Sequence, residues 1–343
     1  MHLTFTAGDV DAAIDIMREA ARWQIGRGTP LWGLETLTRA RLDNPAGEFI
    51  VAWADGTQRS DGAPPHAAAC CLLSFEDKLF WPEIPAGASG FLHKLAVRRK
   101  FAGTGVAARL AAHAERLCRE KGVPMLRLDT DLRRPKLCAI YEGLGFRRVG
   151  VRAMRLPQEG LGQCDVALYE KTLPMRVDPA FYARDVLDVA PALLGKLLCR
   201  RLPDGDVLRR RVTETEAYRG AEDTACHAHA GKTRRTAVMF GPGGFSYVYL
   251  CYGVHSLLNI VTGGEGQPQA ALVRGVEGHT GPGRVTKAMA IDRSLGGVDM
   301  RASEVLWVEE DGFAPASILT GPRVGIGYAS EEDRGREWRF RAG

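Results

Sequence analysis

The 343-residue sequence contains no stretch that approaches the roughly 18 consecutive apolar residues a membrane-spanning helix needs. Its first dozen residues include Asp9 and Asp11 and form no continuous apolar segment. We therefore expect neither a secretory signal nor a membrane anchor, and the sequence predicts a cytoplasmic protein.

The sequence also lacks any C-x-x-C pair. Its eight cysteines are scattered and lie mostly within apolar runs, where free thiols pack as small hydrophobic side chains. This distribution predicts a reducing compartment and no zinc or other metal site.

A strong charge imbalance is missing as well. The net charge is +5, and residues 173–343 hold 22 Lys and Arg against 21 Asp and Glu, so net charge does not indicate nucleic-acid binding. Only local clusters support it, namely residues 209–211, which are all arginine, and the group Lys232, Arg234 and Arg235. Each cluster alone is equally well explained as a solvated charged edge.

The length and an apolar content of 45% are sufficient for two buried cores. Residues 1–172 read as a mixed α/β domain, with an opening helix over residues 9–24 and a later helix between two strands. The segment KTLPMRVDPAF carries two prolines and no periodicity, so we place the domain boundary there. Residues 173–343 read as a strand-rich α+β domain, with predicted strands VLRRRVTETEAY, FSYVYLCYGV, LLNIVT, AALVRGV and PRVGIGYA.

The loop KFAGTG follows the predicted strand FLHKLAV and opens a predicted helix, where unpaired backbone N–H groups and the helix dipole favour a phosphate. LHKLAV, this glycine loop and LCAIYEGLGF together resemble the GNAT family of acetyltransferases over nearly all of residues 1–172. The family pattern begins with Arg or Gln three residues before the first glycine, whereas this chain has Lys100. The departure is mild, because backbone amides do the binding.

The resemblance implies an acetyl-CoA site along Leu95 and Val97, with the pyrophosphate over Gly103, Thr104 and Gly105. It further implies that Tyr141 protonates the departing thiolate, although a half-buried core aromatic is the competing interpretation of this residue. The acceptor, a small-molecule or protein amine, and its base stay open. Candidates for the base, each also open to a structural role, are His93, Asp129 and Asp131.

The densest signal lies in the second half, in the run VTETEAY. On a strand, side chains two residues apart share a face, so Glu214, Glu216 and Tyr218 are predicted to project together. Two nearby carboxylates disfavour each other's ionisation, which can raise one pKa toward the range of a general base. Further on, Tyr247 and Tyr249 alternate along a strand, and Tyr252 precedes a glycine at an apparent hairpin bend, an arrangement that suits stacking on bases.

These segments resemble the alkyladenine, or 3-methyladenine, DNA glycosylase family over residues 180–340. The matching runs are ARDVLDVAPALLGKLL, TEAYRGAEDTACHA, MFGPGGFSYVYLCYGVHSLLN, LVRGVE, GPGR, PRVGI and WRF. The family fold is a compact mixed α/β domain built on an antiparallel sheet, with no metal and no cofactor. Spacing alone does not choose between the two glutamates; the resemblance does, and it puts the water-activating residue at Glu216.

The same resemblance assigns the other site residues. Tyr218, His227 and Tyr249 correspond to the lining of the pocket for the extruded base. Asn259 corresponds to a residue that excludes the guanine 2-amino group, and Arg274 to one that helps hold the water. Tyr252 corresponds to the side chain that enters the minor groove and fills the vacated stack.

Taken together, the two halves predict a base-excision glycosylase for alkylated or deaminated purines in double-stranded DNA, fused to an acetyltransferase-like domain and associated with the nucleoid. The lysines after the boundary, Lys196, Lys232 and Lys287, lie outside the pocket motifs, so a monofunctional enzyme is expected. Two alternatives stay open. In the first, the C-terminal half only binds nucleic acid or substrate beside an active acetyltransferase, and in the second the N-terminal half is inert.

Overall fold

The computed structural model describes residues 1–42, 46–55, 66–155, 163–251 and 253–343. It divides the chain into two compact units, Met1–Leu173 and Pro174–Gly343. Among the described residues, no helix combines the length and the apolar character needed to cross a membrane. All eight cysteines are described; they are free thiols, and all but Cys251 are buried.

The first unit is a mixed α/β fold. Its elements are β1 (His2–Ala7), α1 (Val10–Ile25), α2 (Arg39–Leu42), β2 (Gly47–Asp55), β3 (His66–Ser74), β4 (Gly90–Val97), α3 (Val106–Glu120), β5 (Met125–Asp131), α4 (Pro135–Gly143), β6 (Arg147–Arg155) and β7 (Gln163–Thr172). The sheet order is β1-β2-β3-β4-β5-β7-β6, and every neighbouring pair is antiparallel except β4 and β5.

The predicted helices of this unit have clear local causes. Asp9 caps α1 by accepting the backbone N–H of Ala12, and Ile14, Met17 and Ala21 bury one face of it. Gly122, with φ at +73°, lies just beyond the end of α3, as a left-handed residue after a helix should. The predicted loop GTQRSDGAPPH lies outside the described residues except for its last histidine, which begins β3.

The second unit is α+β, and all of its paired strands are antiparallel. Its elements are β8 (Met175–Arg176), α5 (Pro179–Tyr182), α6 (Val186–Ala192), β9 (Leu197–Arg201), β10 (Val207–Tyr218), β11 (Ser246–Cys251), β12 (His255–Thr262), β13 (Gln269–Val276), β14 (His279–Thr280), α7 (Pro282–Ala288), β15 (Leu306–Glu310), β16 (Ile318–Gly321), α8 (Glu331–Gly335) and β17 (Arg339–Ala342). The main sheet runs β11-β12-β13-β10-β9-β15-β8, while β17 pairs with β10 and β16 with β17.

Strand β10 is the central strand of this unit. It pairs with β9 through its first half and with both β13 and β17 through its second half. Thr215, fully buried, donates its hydroxyl to the carbonyl of Ala190 in α6, so the helix lies on one face of the strand. Glu214 and Glu216, on either side of Thr215 in the sequence, project from the opposite face of β10.

The prediction that PRVGIGYA forms a strand is wrong. Residues 322–329 form an irregular segment after β16, which is held by bonds to the Glu216 side chain and the Ala225 carbonyl instead of by pairing with a neighbouring strand. The N–H of Val324 goes to a Glu216 oxygen, and the Tyr328 hydroxyl donates to the carbonyl of Ala225. The strand-like apolar pattern therefore belongs to an irregular segment that contacts Glu216.

Candidate active sites

The second half of β10 carries Glu214 and Glu216 toward a common arginine. The Nε atom of Arg274, on β13, lies 3.0 Å from Glu214 Oε1 and 3.4 Å from Glu216 Oε1. Its Nη1 atom also lies 3.4 Å from Glu216 Oε2. The two carboxylates thus share one face and one cation, as the period of the strand predicts.

Glu216 is completely buried, yet each of its oxygens has a partner. Oε2 accepts the hydroxyl of Tyr218 at 2.9 Å, and Oε1 accepts the backbone N–H of Val324 at 2.7 Å. Burial raises the pKa of this carboxyl above its usual value, while Arg274, Val324 and Tyr218 oppose the rise. Glu214 adds a smaller upward contribution, so burial outweighs the paired-carboxylate effect that the sequence suggested.

Glu214 has different surroundings. Its Oε1 accepts from Arg274 at 3.0 Å and from Arg339 of β17 at 2.6 Å. Two arginines on one oxygen identify Glu214 as a structural counter-ion that fixes Arg274 beside the second glutamate. The structure therefore distinguishes two residues that spacing left equivalent.

A small aromatic cavity opens next to this carboxylate. Its volume is about 30 Å³, and its lining consists of Tyr218, Ala225, Cys226, His227, Met239, Tyr247, Tyr249, Asn259, Ala270 and Tyr328. Tyr218 connects it to Glu216, since its ring lines the cavity and its hydroxyl reaches the carboxylate. This volume is small beside a purine ring system, and the cavity is not fully enclosed.

One wall is a hydrogen-bonded aromatic group. His227 Nδ1 lies 3.0 Å from the Tyr247 hydroxyl, and the His227 ring meets Tyr249 edge-on with centroids 4.6 Å apart. Arg235 donates its Nε–H to the Tyr247 hydroxyl and lies 5.2 Å from the Tyr249 ring centroid. Burial, helped by the Arg235 charge, lowers the pKa of His227 to about 4, so this ring is neutral at physiological pH.

The lining also includes a strand amide and an outer tyrosine. Asn259, 4% exposed on β12, donates its side-chain N–H to the Tyr247 carbonyl at 3.3 Å. Tyr328, 69% exposed, touches the cavity from outside. Sequence reasoning missed Tyr328, because nothing in its run distinguishes a wall residue from a surface one.

A buried ion pair fixes the segment that covers Glu216. The Arg323 guanidinium makes two hydrogen bonds to Asp223, at 2.6 and 2.9 Å, and a third to the Ala217 carbonyl. Both charged side chains are fully buried, and the guanidinium lies about 5 Å from the ring centres of Tyr218 and Trp338. Because Arg323 precedes Val324, this pair places the N–H that Glu216 accepts.

The remaining predicted residues of this unit divide into two groups. Tyr252 lies outside the described residues, and in the sequence it follows the last residue of β11. The lysines do not line the aromatic cavity: Lys196 pairs with Glu310, Lys232 lies 5.9 Å from the Phe240 ring centroid, and Lys287 is in the last turn of α7.

The first unit contains a much larger cavity, of about 750 Å³. Strands β4 and β5 pair only at Gly90 and Phe91, opposite Leu126 and Arg127. Beyond that point the two strands no longer pair with each other. Leu95 and Val97 from β4 face this opening, as do Gly103 and Gly105 from the loop that starts α3. Thr104 is exposed and donates its hydroxyl to the Phe101 carbonyl instead of lining the cavity.

The glycine loop has the geometry of an anion cradle. Gly103 and Gly105 have φ of +77° and +81°, and no atom lies within 4 Å of where a Cβ would stand on either residue. Gly105 begins the 15-residue helix α3 without a side-chain cap, so the first-turn N–H groups point toward this loop. The backbone of this loop therefore fits a pyrophosphate. Lys100, which stands where the family pattern has Arg or Gln, does not change this backbone geometry.

All four predicted proton-transfer groups line the same cavity, and two of them, Tyr141 and Asp131, have distinct settings. Tyr141 is 7% exposed, and burial raises the pKa of its hydroxyl, so the group is protonated at neutral pH. Asp131 is hydrogen-bonded by Arg133; although burial raises its pKa, those bonds hold it below the usual value. Asp131 is therefore a weak base.

His93 lies between two carboxylates. Its Nε2 is 3.6 Å from Asp77 Oδ2 and its Nδ1 is 3.4 Å from Asp129 Oδ1. Both of these oxygens are buried without a hydrogen-bond partner, and burial raises the pKa of Asp77. Sequence reasoning included His93 and Asp129 but missed Asp77, which is 16 residues from the one and 52 from the other.

Comparison with known proteins separates the same two halves. The profile of the methylpurine-DNA glycosylase family matches residues 180–280 and 279–343, and the profile of the acetyltransferase (GNAT) family matches residues 15–146. Relatives from Psychrobacter cryohalolentis and Methanocella arvoryzae carry the provisional name 3-methyladenine DNA glycosylase. They are 42% and 46% identical, covering 48% and 47% of this chain and 90% and 88% of their own lengths.

Among solved structures, the chain is similar to the ribosomal-protein-S18-alanine N-acetyltransferase from Escherichia coli. The identity is 20% and the TM-score is 0.35, and the match covers 50% of this chain and 94% of that one.

Proposed function

Because this chain belongs to the methylpurine-DNA glycosylase family through residues 180–343 and carries a GNAT-family domain before it, we propose that it excises damaged purines from DNA. The substrates of the proposed reaction are purines alkylated as in 3-methyladenine, or deaminated purines, in double-stranded DNA. The observation that carries the proposal is a buried, hydrogen-bonded carboxylate, Glu216, joined through Tyr218 to an aromatic cavity.

The chemistry follows from that arrangement. A base inside the duplex hides its sugar carbon from water, so the nucleotide must be turned out of the stack, at a cost of a few kcal/mol. Tyr252 offsets part of this cost by filling the gap. Water then attacks the sugar C1′ while Glu216 takes its proton, and the base leaves with the electron pair of the N-glycosidic bond.

The aromatic lining supports selection of the damaged base. A purine alkylated at N3 carries a positive charge, and an aromatic face attracts a cation by roughly 0.5–2 kcal/mol. Tyr218 and Tyr249 are the aromatic faces, while neutral His227 adds no repulsive charge. Asn259, also in the lining, is proposed to reject guanine through its 2-amino group.

Arg274 is proposed to hold the attacking water with Glu216. It is close to both oxygens of that carboxylate and is itself fixed by Glu214. Because the lysines of this unit lie away from the cavity, the proposed enzyme is monofunctional and leaves an abasic site without cutting the strand. No cofactor is needed for this hydrolysis.

A direct test is the release of free base from duplex DNA that carries 3-methyladenine or hypoxanthine. Free base and abasic sites are expected from the purified protein. Release of neither would contradict the proposal and favour the alternative that this half only binds nucleic acid. We also propose that the protein acts in the cytoplasm, at the nucleoid.

We expect the rate of 3-methyladenine release to fall as the pH is lowered through the raised pKa of Glu216. The water-activating form is the carboxylate, and burial makes protonation begin at a higher pH than for an ordinary glutamate. His227, with a pKa of about 4, titrates below this limb. Single-turnover rates at saturating enzyme, corrected for spontaneous release, measure the profile.

The matched variant for this pH profile is Tyr218→Phe. It removes the hydroxyl that stabilises the carboxylate, so the acid limb should move to still higher pH. An acid limb at or below the ordinary glutamate range in the wild-type protein would contradict this account.

For residues 1–172 we propose acetyl-CoA binding and transfer of the acetyl group to an amine. The supporting observation is the 750 Å³ cavity between the unpaired ends of β4 and β5, with the open glycine loop beside it. Leu95 and Val97 would lie along the pantetheine, and the backbone N–H groups of Gly103, Thr104 and Gly105 would cradle the pyrophosphate. Protonated Tyr141 would donate to the thiolate, and His93 or Asp129 would take the proton of the amine.

Calorimetric titration with acetyl-CoA tests this second activity. We expect one site per chain, and at least about a tenfold weaker affinity for Gly103→Ala, because the added Cβ enters the phosphate cradle in a left-handed conformation. The matched control is Gly87→Ala, which has the same strain, with φ at +81°, but lies away from the cavity. Equal losses for both variants would assign the effect to backbone strain, and no heat for the wild type would favour an inert N-terminal half.

A further inference from the structure

One lysine lies in the cavity of the first unit, and the proposed reaction does not use it. Lys94 is on β4 between His93 and Leu95 and is one of the residues that line the cavity, where its charge interacts with that of Asp129. We infer that Lys94 is a self-acetylation site, modified by acetyl-CoA bound in the same cavity. This inference rests on the proposed binding of acetyl-CoA.

A β-bulge in β4 includes Lys94 at the cavity wall. His93 pairs with Leu72 of β3 and Ala96 pairs with Cys70, so Lys94 and Leu95 together lie opposite one residue. Such a bulge changes the direction of a side chain. Lys94 has φ at +52°, a left-handed conformation that is rare for a residue with a Cβ, and both Lys94 and Leu95 line the cavity.

Lys94 lies in the region where β4 and β5 separate. Beyond Phe91, β4 no longer pairs with β5, and Asp129, Thr130 and Asp131 of β5 line the cavity together with Lys94. The acetyl end of a donor that lies along Leu95 and Val97 reaches this part of the cavity. A primary amine is therefore held next to the proposed thioester without any external acceptor, and such proximity is a large source of rate.

The surroundings also favour the reactive form of the amine. Burial lowers the pKa of Lys94, and the Asp129 charge opposes that change only in part. Each unit by which an amine pKa falls raises its neutral, nucleophilic fraction about tenfold near neutral pH. The other charged groups of this region are engaged with one another, His93 lying between Asp77 and Asp129 and Asp131 pairing with Arg133.

The step balances without any further reactant. The Lys94 ammonium loses a proton to the Asp129 carboxylate, and the free electron pair on Nζ attacks the thioester carbonyl carbon. The C–N bond forms and the C–S bond breaks. The departing thiolate takes a proton from Tyr141, and the second proton that Nζ loses as the amide forms returns to the Tyr141 oxygen. The products are coenzyme A and an amide on Lys94.

The test is to incubate the full-length chain with acetyl-CoA and no added amine, and to locate acetyl groups by mass spectrometry of peptides. We expect Lys94 to gain one acetyl group at an initial rate at least about tenfold above that of Lys136. Lys136 is an exposed lysine outside the cavity lining, and it reports non-enzymatic acetylation. Lys94→Arg should abolish the fast labelling and still bind acetyl-CoA in calorimetry, and Lys136→Arg should leave the labelling of Lys94 unchanged.

Two outcomes would overturn the inference, and they are distinguishable. If acetyl-CoA binds but Lys94 is labelled no faster than Lys136, self-acetylation is wrong while the proposed binding stands; Lys94 would then be left to contact an acceptor. If calorimetry detects no binding, both the inference and the acetyltransferase proposal fail.

Discussion

Glu216→Gln is expected to reduce the rate of base release by about 10²–10⁴-fold, the range typical of losing a general base. Glutamine keeps the shape of the side chain and can still accept the N–H of Val324, but it cannot take a proton from water. Binding to lesion-containing DNA should therefore persist. Single-turnover excision and fluorescence anisotropy measure the two effects separately.

The matched control is Glu214→Gln, the same change two residues earlier on β10. Glu214 holds Arg274 and Arg339 and does not contact Tyr218, so we expect a smaller loss of rate, through a less fixed Arg274. If Glu214→Gln loses as much activity as Glu216→Gln, or more, the assignment of the base is wrong. If neither variant loses activity, the proposed hydrolytic mechanism is wrong.

Asp223→Asn is expected to destabilise the C-terminal unit by about 3–5 kcal/mol, because it leaves the Arg323 charge buried without its counter-ion. For a unit of this size the corresponding fall in Tm is roughly 6–20 °C. Scanning calorimetry of the full chain measures it, and the transition of this unit is the one that shifts upward when lesion DNA is added.

Glu332→Gln provides the matched comparison for the buried pair. Glu332 is 79% exposed and pairs with Arg336 across one turn of α8, so its loss should cost less than about 1 kcal/mol. If the two variants lowered Tm by similar amounts, burial of the Asp223–Arg323 pair would not explain the loss of stability. Base release by Asp223→Asn below its transition should also fall, since Arg323 positions the Val324 N–H on Glu216.

The local elements could be predicted because their causes are local. The Asp9 cap, the apolar face of α1 and the full extent of β10 are all visible as short-range patterns. The segment 322–329 was misread because its apolar alternation matches a strand. Its real constraint is a hydrogen bond to Glu216, 108 positions earlier in the chain.

Contacts between residues far apart in the sequence also limit how much of the site could be predicted. The face shared by Glu214 and Glu216 follows from strand period, but the choice between them depends on Arg339, Arg274 and Val324, which come from three other segments. Asp223 and Arg323 were not identified, since an aspartate and an arginine 100 positions apart carry no pattern that links them. Family resemblance supplied the roles that single-chain reasoning could not.

The narrowness of the aromatic cavity has a consequence for how undamaged DNA is treated. A normal nucleotide that rotates out of the duplex by chance would meet only a narrow space between the aromatic side chains. Widening that space costs free energy, so a base would be held only if its contacts with the lining outweigh the cost. Under the proposed function, discrimination between damaged and intact purines would begin when the base enters the cavity, before the glycosidic bond is attacked.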